Sequence, residues 1–174
     1  RAIAPEKTRR EPTGERQSIL SDDEANALVR EKTKEASATL AASGLSKKKI
    51  GPVVAGVVDR RTGKFYAGHN HADLPKNLHP ILEARVRAVQ ADPYHPSLAG
   101  SHAEIYALNG ALNARVANGI PVTEADLGEF TMLSTWSRGS GKGNMQLGDA
   151  APRCDNCRRI TDGTRNLAGD AAPW

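Results

Sequence analysis

Apolar and polar residues fall into blocks along the chain, and the spacing within them shifts between helical and extended. Ser21-Asp22-Asp23-Glu24 has the form of a capping box: a serine at the N-cap and a glutamate three residues on. Ala25, Leu28, Val29, Ala36 and Leu40 follow at roughly helical spacing, and Gly44 offers a stop. A first helix is expected there. Val53–Asp59 is a short apolar run rich in β-branched residues, so it reads as a buried strand. Residues 60–63 read as a turn and 64–68 as the returning strand of an antiparallel hairpin.

Pro80 suits a first helical turn, and Ile81, Leu82, Val86 and Val89 then share one helical face. Asp92-Pro93 and His95-Pro96 break that helix. Ser101 opens the next helix, with Ile105, Leu108, Leu112 and Val116 as its buried stripe and Asn118-Gly119 as its end. Phe130–Trp136 reads as another buried strand. Residues 138–151 are polar and glycine-rich and read as a mobile loop. A short helix from Pro152 is expected to carry Cys154, Cys157 and Ile160. Little of the chain remains after Gly163, so any last strands must be short or missing.

Composition narrows this picture. The chain has 174 residues, 39% of them hydrophobic, which suits one domain with a tail. Residues 1–18 are polar and charged, with Pro5, Pro12 and Gly14. Residues 1–20 therefore read as a linker to an upstream region, and 21–174 as a single domain. No run approaches the roughly 18 apolar residues that a membrane helix needs, and no signal-peptide core precedes the domain. The chain begins at Arg1 and its methionines are Met132 and Met145. A fragment of a longer protein, its C-terminal domain, is expected. The net charge of +4 permits a nucleic-acid partner without demanding one.

The densest chemistry is His102-Ala103-Glu104, followed by Pro152-Arg153-Cys154-Asp155-Asn156-Cys157. Zinc favours thiolate and imidazole donors, and a catalytic zinc site keeps three protein ligands and one open position. Cysteines at i and i+3 of a helix start can reach one ion, and the positive helix end favours their thiolates. His102 would be the third ligand, from the first turn of the preceding helix. Glu104 would face the open position and move protons. Other readings of the same residues are a Ser101–Glu104 capping box, a structural site closed by His69, His71, His79 or His95, a non-catalytic zinc module, and a thiol nucleophile or oxidoreductase built on the two cysteines.

These motifs resemble the cytidine deaminase-like superfamily, whose signature is H-x-E followed by P-C-x-x-C. More narrowly the chain is similar to the YwqJ-type deaminases at the C-termini of bacterial polymorphic toxins, over a core of residues 51–163. The likeness rests on Gly-Pro-Val-Val-Ala-Gly-Val in the first strand, Leu78-His79-Pro80, Ser101-His102-Ala103-Glu104 and Pro-Arg-Cys-x-x-Cys. It implies an α/β three-layer sandwich, a mixed five-stranded sheet with helices on both faces. It implies a catalytic zinc on His102, Cys154 and Cys157, with Glu104 as the proton shuttle. Asn70 matches an asparagine that holds sugar or base. Trp136-Ser137 is similar to the Ser-Trp-Ser stretch of APOBEC-type deaminases, where the aromatic walls the pocket. Ser101, Ala103 and Arg153 are expected beside the substrate. Arg153 stands between Pro152 and Cys154, where most of the superfamily has proline directly before the cysteine.

The resemblance further implies cytosine as the base attacked, a cognate immunity protein, and a secreted effector acting in the cytoplasm of a target cell. Single-stranded DNA is the favoured substrate, with RNA, duplex DNA and free nucleosides as alternatives. Arg138, Lys142, Arg153, Arg158, Arg159 and Arg165 outnumber Asp149, Asp155 and Asp162 around the cysteine motif. They are expected to form a basic face for phosphates.

Overall fold

The computed structural model describes residues 19–46, 51–93, 99–137 and 145–170. Residues 1–18 of the expected linker, Lys47–Lys49, His95 and residues 138–144 of the expected loop lie outside them. Ser21 caps helix α1 (Asp22–Ala41) in a complete capping box with Glu24. The helix ends at its C-cap Ala42, two residues before Gly44, whose φ is +73°. Strands β1 (Val53–Asp59) and β2 (Phe65–His69) form the hairpin. The second strand starts one residue later than expected: the Lys64 carbonyl accepts from Asp59 N and so belongs to the turn.

Helix α2 (Pro80–Ala91) has proline in its first turn and buries Leu82, Val86 and Val89. Helix α3 (Ala103–Ala117) ends at Asn118 and at Gly119, whose φ is +77°. A 3₁₀ turn (Glu124–Glu129) leads into β3 (Phe130–Trp136). Helix α4 (Asp155–Ile160) carries the second cysteine, and β4 (Arg165–Asn166) follows it.

The sheet order is β2-β1-β3-β4. β1 runs antiparallel to both neighbours, while β4 pairs parallel to β3 through Thr131↔Arg165 and Met132↔Asn166. The sheet is mixed and four-stranded among the described residues, one strand short of the expected five. The chain past Gly163 nevertheless adds the short strand β4.

Period-2 alternation sorts the core into two layers. Ala55, Val57, Phe130 and Met132 pack on α2, α3 and α4 on one face, while Val58 and Leu133 pack on Ala25 and Val29 of α1 on the other. The result is an α/β sandwich with helices on both faces. No helix among the described residues is long and apolar enough to cross a membrane.

Two details position α3. Gly68 lies beneath its first turns: a Cβ there would stand 2.6 Å from Ala107 N and 2.7 Å from Ala103 O, so only glycine lets the helix start so close to the sheet. At the far end, Val116 is 46% exposed and Arg115 takes the inward position instead. Its guanidinium pairs with Asp59 at 2.5 Å and Glu129 at 2.5 Å, and stacks over the Phe130 ring at 4.3 Å. The buried stripe therefore rotates away from Val116 because a buried ion pair holds the neighbouring position.

Candidate metal centre and active site

α3 begins one residue later than its sequence suggests. Its N-cap is His102, in extended conformation, and makes no side-chain cap bond of its own. The cap comes from another element: Asn70, just after β2, accepts from Ala103 N through Oδ1 at 3.0 Å. The imidazole of His102 is thereby free to face α4. Glu104 becomes the second helical residue, so it does not form the Ser101 capping box. It is 5% exposed and turns inward.

α4 repeats the arrangement. Cys154 is its N-cap, and Sγ accepts from Cys157 N at 3.4 Å. The His102 ring Nδ1 lies 3.2 Å from Cys157 Sγ and 3.4 Å from Cys154 Sγ. The three donor atoms all lie within 4.8 Å of one another, and both cysteines are free thiols. Cys157 Sγ also lies 3.7 Å from Glu104 Oε2. Two helix starts thus converge one nitrogen, two sulfurs and a buried carboxyl.

The donor chemistry fits a metal: imidazole and two thiols, with a carboxyl alongside rather than among them. None of the proposed fourth ligands among the described residues joins the group. His69 stacks on His71 at 4.1 Å, and His71 on Tyr106 at 4.0 Å. The His79 ring accepts from Ile81 N and caps α2.

Electrostatics divide the cluster. A hydrogen bond from the Cys157 thiol, aided by His102, outweighs burial and brings Cys154 down to about 4. Cys157 is pushed well above the ordinary thiol value because it donates to Cys154 and is buried. The bond to Cys154 raises His102 against the opposing effect of burial. Burial raises Glu104, although its own backbone N–H and His102 favour the carboxylate. The metal-free cluster therefore holds one thiolate and keeps a proton on the other sulfur. A divalent ion would displace that proton.

The sign gives a direct test. At pH 6, well above about 4, Cys154 is ionised, while Cys157 stays a thiol and is 1% exposed. Iodoacetamide on metal-stripped protein is expected to label Cys154 at least tenfold faster than Cys157, read by peptide mass spectrometry. Equal labelling would contradict the asymmetry. Added zinc is expected to protect both.

The remaining predicted site residues are placed unevenly. Asn70, Ala103 and Ser101 gather at the α3 start, where His71 N donates to the Ser101 carbonyl at 3.0 Å. Trp136 ends β3 and, by alternation, shares the sheet face of Met132 and α3. Arg153 is engaged internally: Nε donates to Asp170 at 2.7 Å and Nη1 to Thr161 at 3.0 Å.

The expected basic face is dispersed. Arg165 turns to the α1 side, where it meets Asp22 and Asn26, and Arg159 donates to the Asp92 carbonyl. Arg158 lies 3.8 Å from Asp155 with its side chain 46% exposed. Arg138 and Lys142 lie outside the described residues. Sequence reasoning missed Gly68 and Arg115. A glycine followed at once by His69-Asn70 at a strand end was the available signal for the first.

The mixed sheet thus carries a His-x-Glu turn at one helix start and a Cys-x-x-Cys turn at another, the arrangement that the sequence resemblance implies. The YwqJ-like deaminase family model matches residues 37–166, and the chain belongs to that family. It is 39% identical over 131 residues to Toxin YwqJ of Bacillus subtilis (strain 168). That match covers 72% of this chain and 20% of the relative, so the chain spans about a fifth of that protein's length. No solved structure matches the chain.

Proposed function

We propose that this domain is a zinc-dependent hydrolytic deaminase that converts cytosine to uracil in nucleic acid, with single-stranded DNA favoured, and that it serves as the toxin part of a longer secreted protein. The carrying observation is the Glu104 carboxyl, buried beside three donor atoms that all lie within 4.8 Å of one another. The name of the relative, Toxin YwqJ, supports the toxin reading.

His102, Cys154 and Cys157 would hold the ion. A bound zinc would supply Lewis-acid activation of water. Glu104 takes a proton from the attacking water as its oxygen bonds to C4 of the base. It gives that proton to N3, then delivers the water's second proton to the departing amine. Water and cytosine thus yield uracil and ammonia. Burial suits Glu104 to this, since it raises the carboxyl above its ordinary value and makes the carboxylate a stronger proton acceptor.

Asn70 fixes the α3 start and so orients His102 and Glu104 together. Trp136 supplies an apolar wall for the ring. A single-stranded target avoids the few kcal/mol needed to unstack and unpair a duplex base. A cognate immunity protein in the producing cell, and action in the cytoplasm of a target cell, belong to the same reading.

The test is a deamination assay on single-stranded DNA, duplex DNA, RNA and free cytidine, alongside metal analysis. Expected are one equivalent of zinc, its loss in Cys157→Ala, and uracil formed fastest in single-stranded DNA. Stoichiometric zinc with no uracil from any substrate would favour a non-catalytic zinc module and overturn the proposal.

A further inference from the structure

On the sheet face opposite the metal centre, α1 does not close fully on the end of β3. A cavity of about 320 Å³ opens there, lined by Arg30, Lys34, Leu133, Thr135, Gly148 and Leu167 among others. That volume sits at the small end of the range for ligand pockets. Three features point to a ligand.

The first is charge. Arg30 and Lys34 lie four residues apart on α1, both exposed, and no carboxylate lines the cavity. Neither has an ion-pair partner among the described residues. Gly148 leaves room beside the Lys34 stem: a Cβ there would stand 3.9 Å from the lysine Cγ.

The second is a polar group with nothing to bond. Thr135 is 2% exposed, and its Oγ1 has no hydrogen-bond partner. Such a buried hydroxyl is costly unless something satisfies it. The leucines that share the cavity lining with it, Leu133 and Leu167, are apolar and cannot.

The third is position. Thr135 directly precedes Trp136 on β3, and the two residues face opposite sides of the sheet. The Ser37 hydroxyl donates to the Trp136 carbonyl at 3.1 Å, so α1 reaches the same strand end. The cavity therefore lies across the sheet from Trp136, the residue proposed above to wall the base.

We infer that Arg30, Lys34 and Thr135 form a second binding site, which takes a backbone phosphate of the nucleic-acid strand whose base occupies the metal centre. The inference rests on the nucleic-acid substrate proposed above. The two cations neutralise phosphate charge, the Thr135 hydroxyl donates to a phosphate oxygen, and the leucines contact the sugar.

The test measures binding alone. Oligothymidylate of about twelve nucleotides contains no cytosine, so nothing is turned over; its affinity is followed by fluorescence anisotropy across a salt series. Losing the one phosphate that these two cations neutralise flattens the log–log salt slope by about 0.7 for a single strand. Arg30→Gln/Lys34→Gln is expected to show that change with an unaltered melting temperature. Thr135→Val is expected to weaken binding several-fold without lowering the melting temperature, since valine removes an unsatisfied hydroxyl at equal shape.

An unchanged slope in the double variant overturns the site. So does an unchanged slope with loss of poly-glutamate binding, which would mark the surface as a dock for an acidic protein. Failure of the deaminase reading is separately visible. A flattened slope with no uracil formed from any substrate keeps the site and removes the chemistry. Uracil formed with an unchanged slope does the reverse.

Discussion

Glu104→Gln is expected to lower deamination turnover by about 10²–10⁴-fold while zinc content and melting temperature hold, because general acid–base groups contribute on that order. The substitution keeps the shape and removes the titrating group. Glutamine matches glutamate in size and keeps an oxygen near Cys157, but it cannot carry a proton between water, N3 and the leaving amine. The wild-type carboxyl is 5% exposed and raised by burial, so the neutral replacement adds no desolvation cost. Steady-state kinetics on a cytosine-containing oligonucleotide, with metal analysis of the same preparation, would decide it. Full activity in the variant would remove Glu104 from the chemistry. Loss of zinc along with activity would make it part of the metal shell instead.

Arg115→Met is expected to destabilise the fold by about 3–5 kcal/mol, the usual result of removing one partner of a buried ion pair. Asp59 is 1% exposed and receives two bonds from the guanidinium, to Oδ1 at 2.5 Å and Oδ2 at 2.9 Å. Without Arg115 that carboxylate stays buried and uncompensated. The pair also ties the end of α3 to β1, and Arg115 to Glu129 ahead of β3. For a domain of this size the melting temperature should fall on the order of 10 °C. Adding Asp59→Leu should recover much of the loss, since removing both charges avoids the buried orphan. A single variant as stable as wild type would show the pair to be solvated. Zinc content should change little in the folded variant, because the ligands sit at the other end of α3.

Much of the fold was legible because local rules and tertiary packing agree. The Ser21 capping box needs only neighbouring residues, and it formed as read. Val53–Asp59 and Phe130–Trp136 are apolar, β-branched or aromatic runs too short for helices, and both are strands with the expected bounds. The pairing of His-x-Glu with Cys-x-x-Cys was equally readable, since metal donors are recognised by residue type and spacing. The family resemblance to YwqJ-type deaminases, stated from those motifs, agrees with the family match.

The failures lie where a residue's partner is distant in sequence. Ser101–Glu104 has the spacing of a capping box, yet Asn70 caps the helix from β2 and shifts its start. Val116 fits the apolar stripe, yet Arg115 is drawn inward by Asp59 and Glu129. The basic residues near the cysteines are close in sequence, yet Arg165 sits on a strand whose alternation sends it to the α1 face. Net charge along a segment carries no information about which side of a sheet each residue occupies.

Residue type and spacing alone thus named the atoms that could hold a metal and the segments that would be helix or strand. Those follow from side-chain chemistry and from periodicity, and both are local. Only the tertiary structure decided that His102 turns away from its own helix, that Glu104 is buried beside the two sulfurs, and that Thr135 lacks a partner next to two cations. Each depends on how closely one element approaches another: Gly68 beneath α3, Asn70 at its start, α1 across the end of β3. That approach is set by packing between segments far apart in the chain, which no spacing along the sequence records.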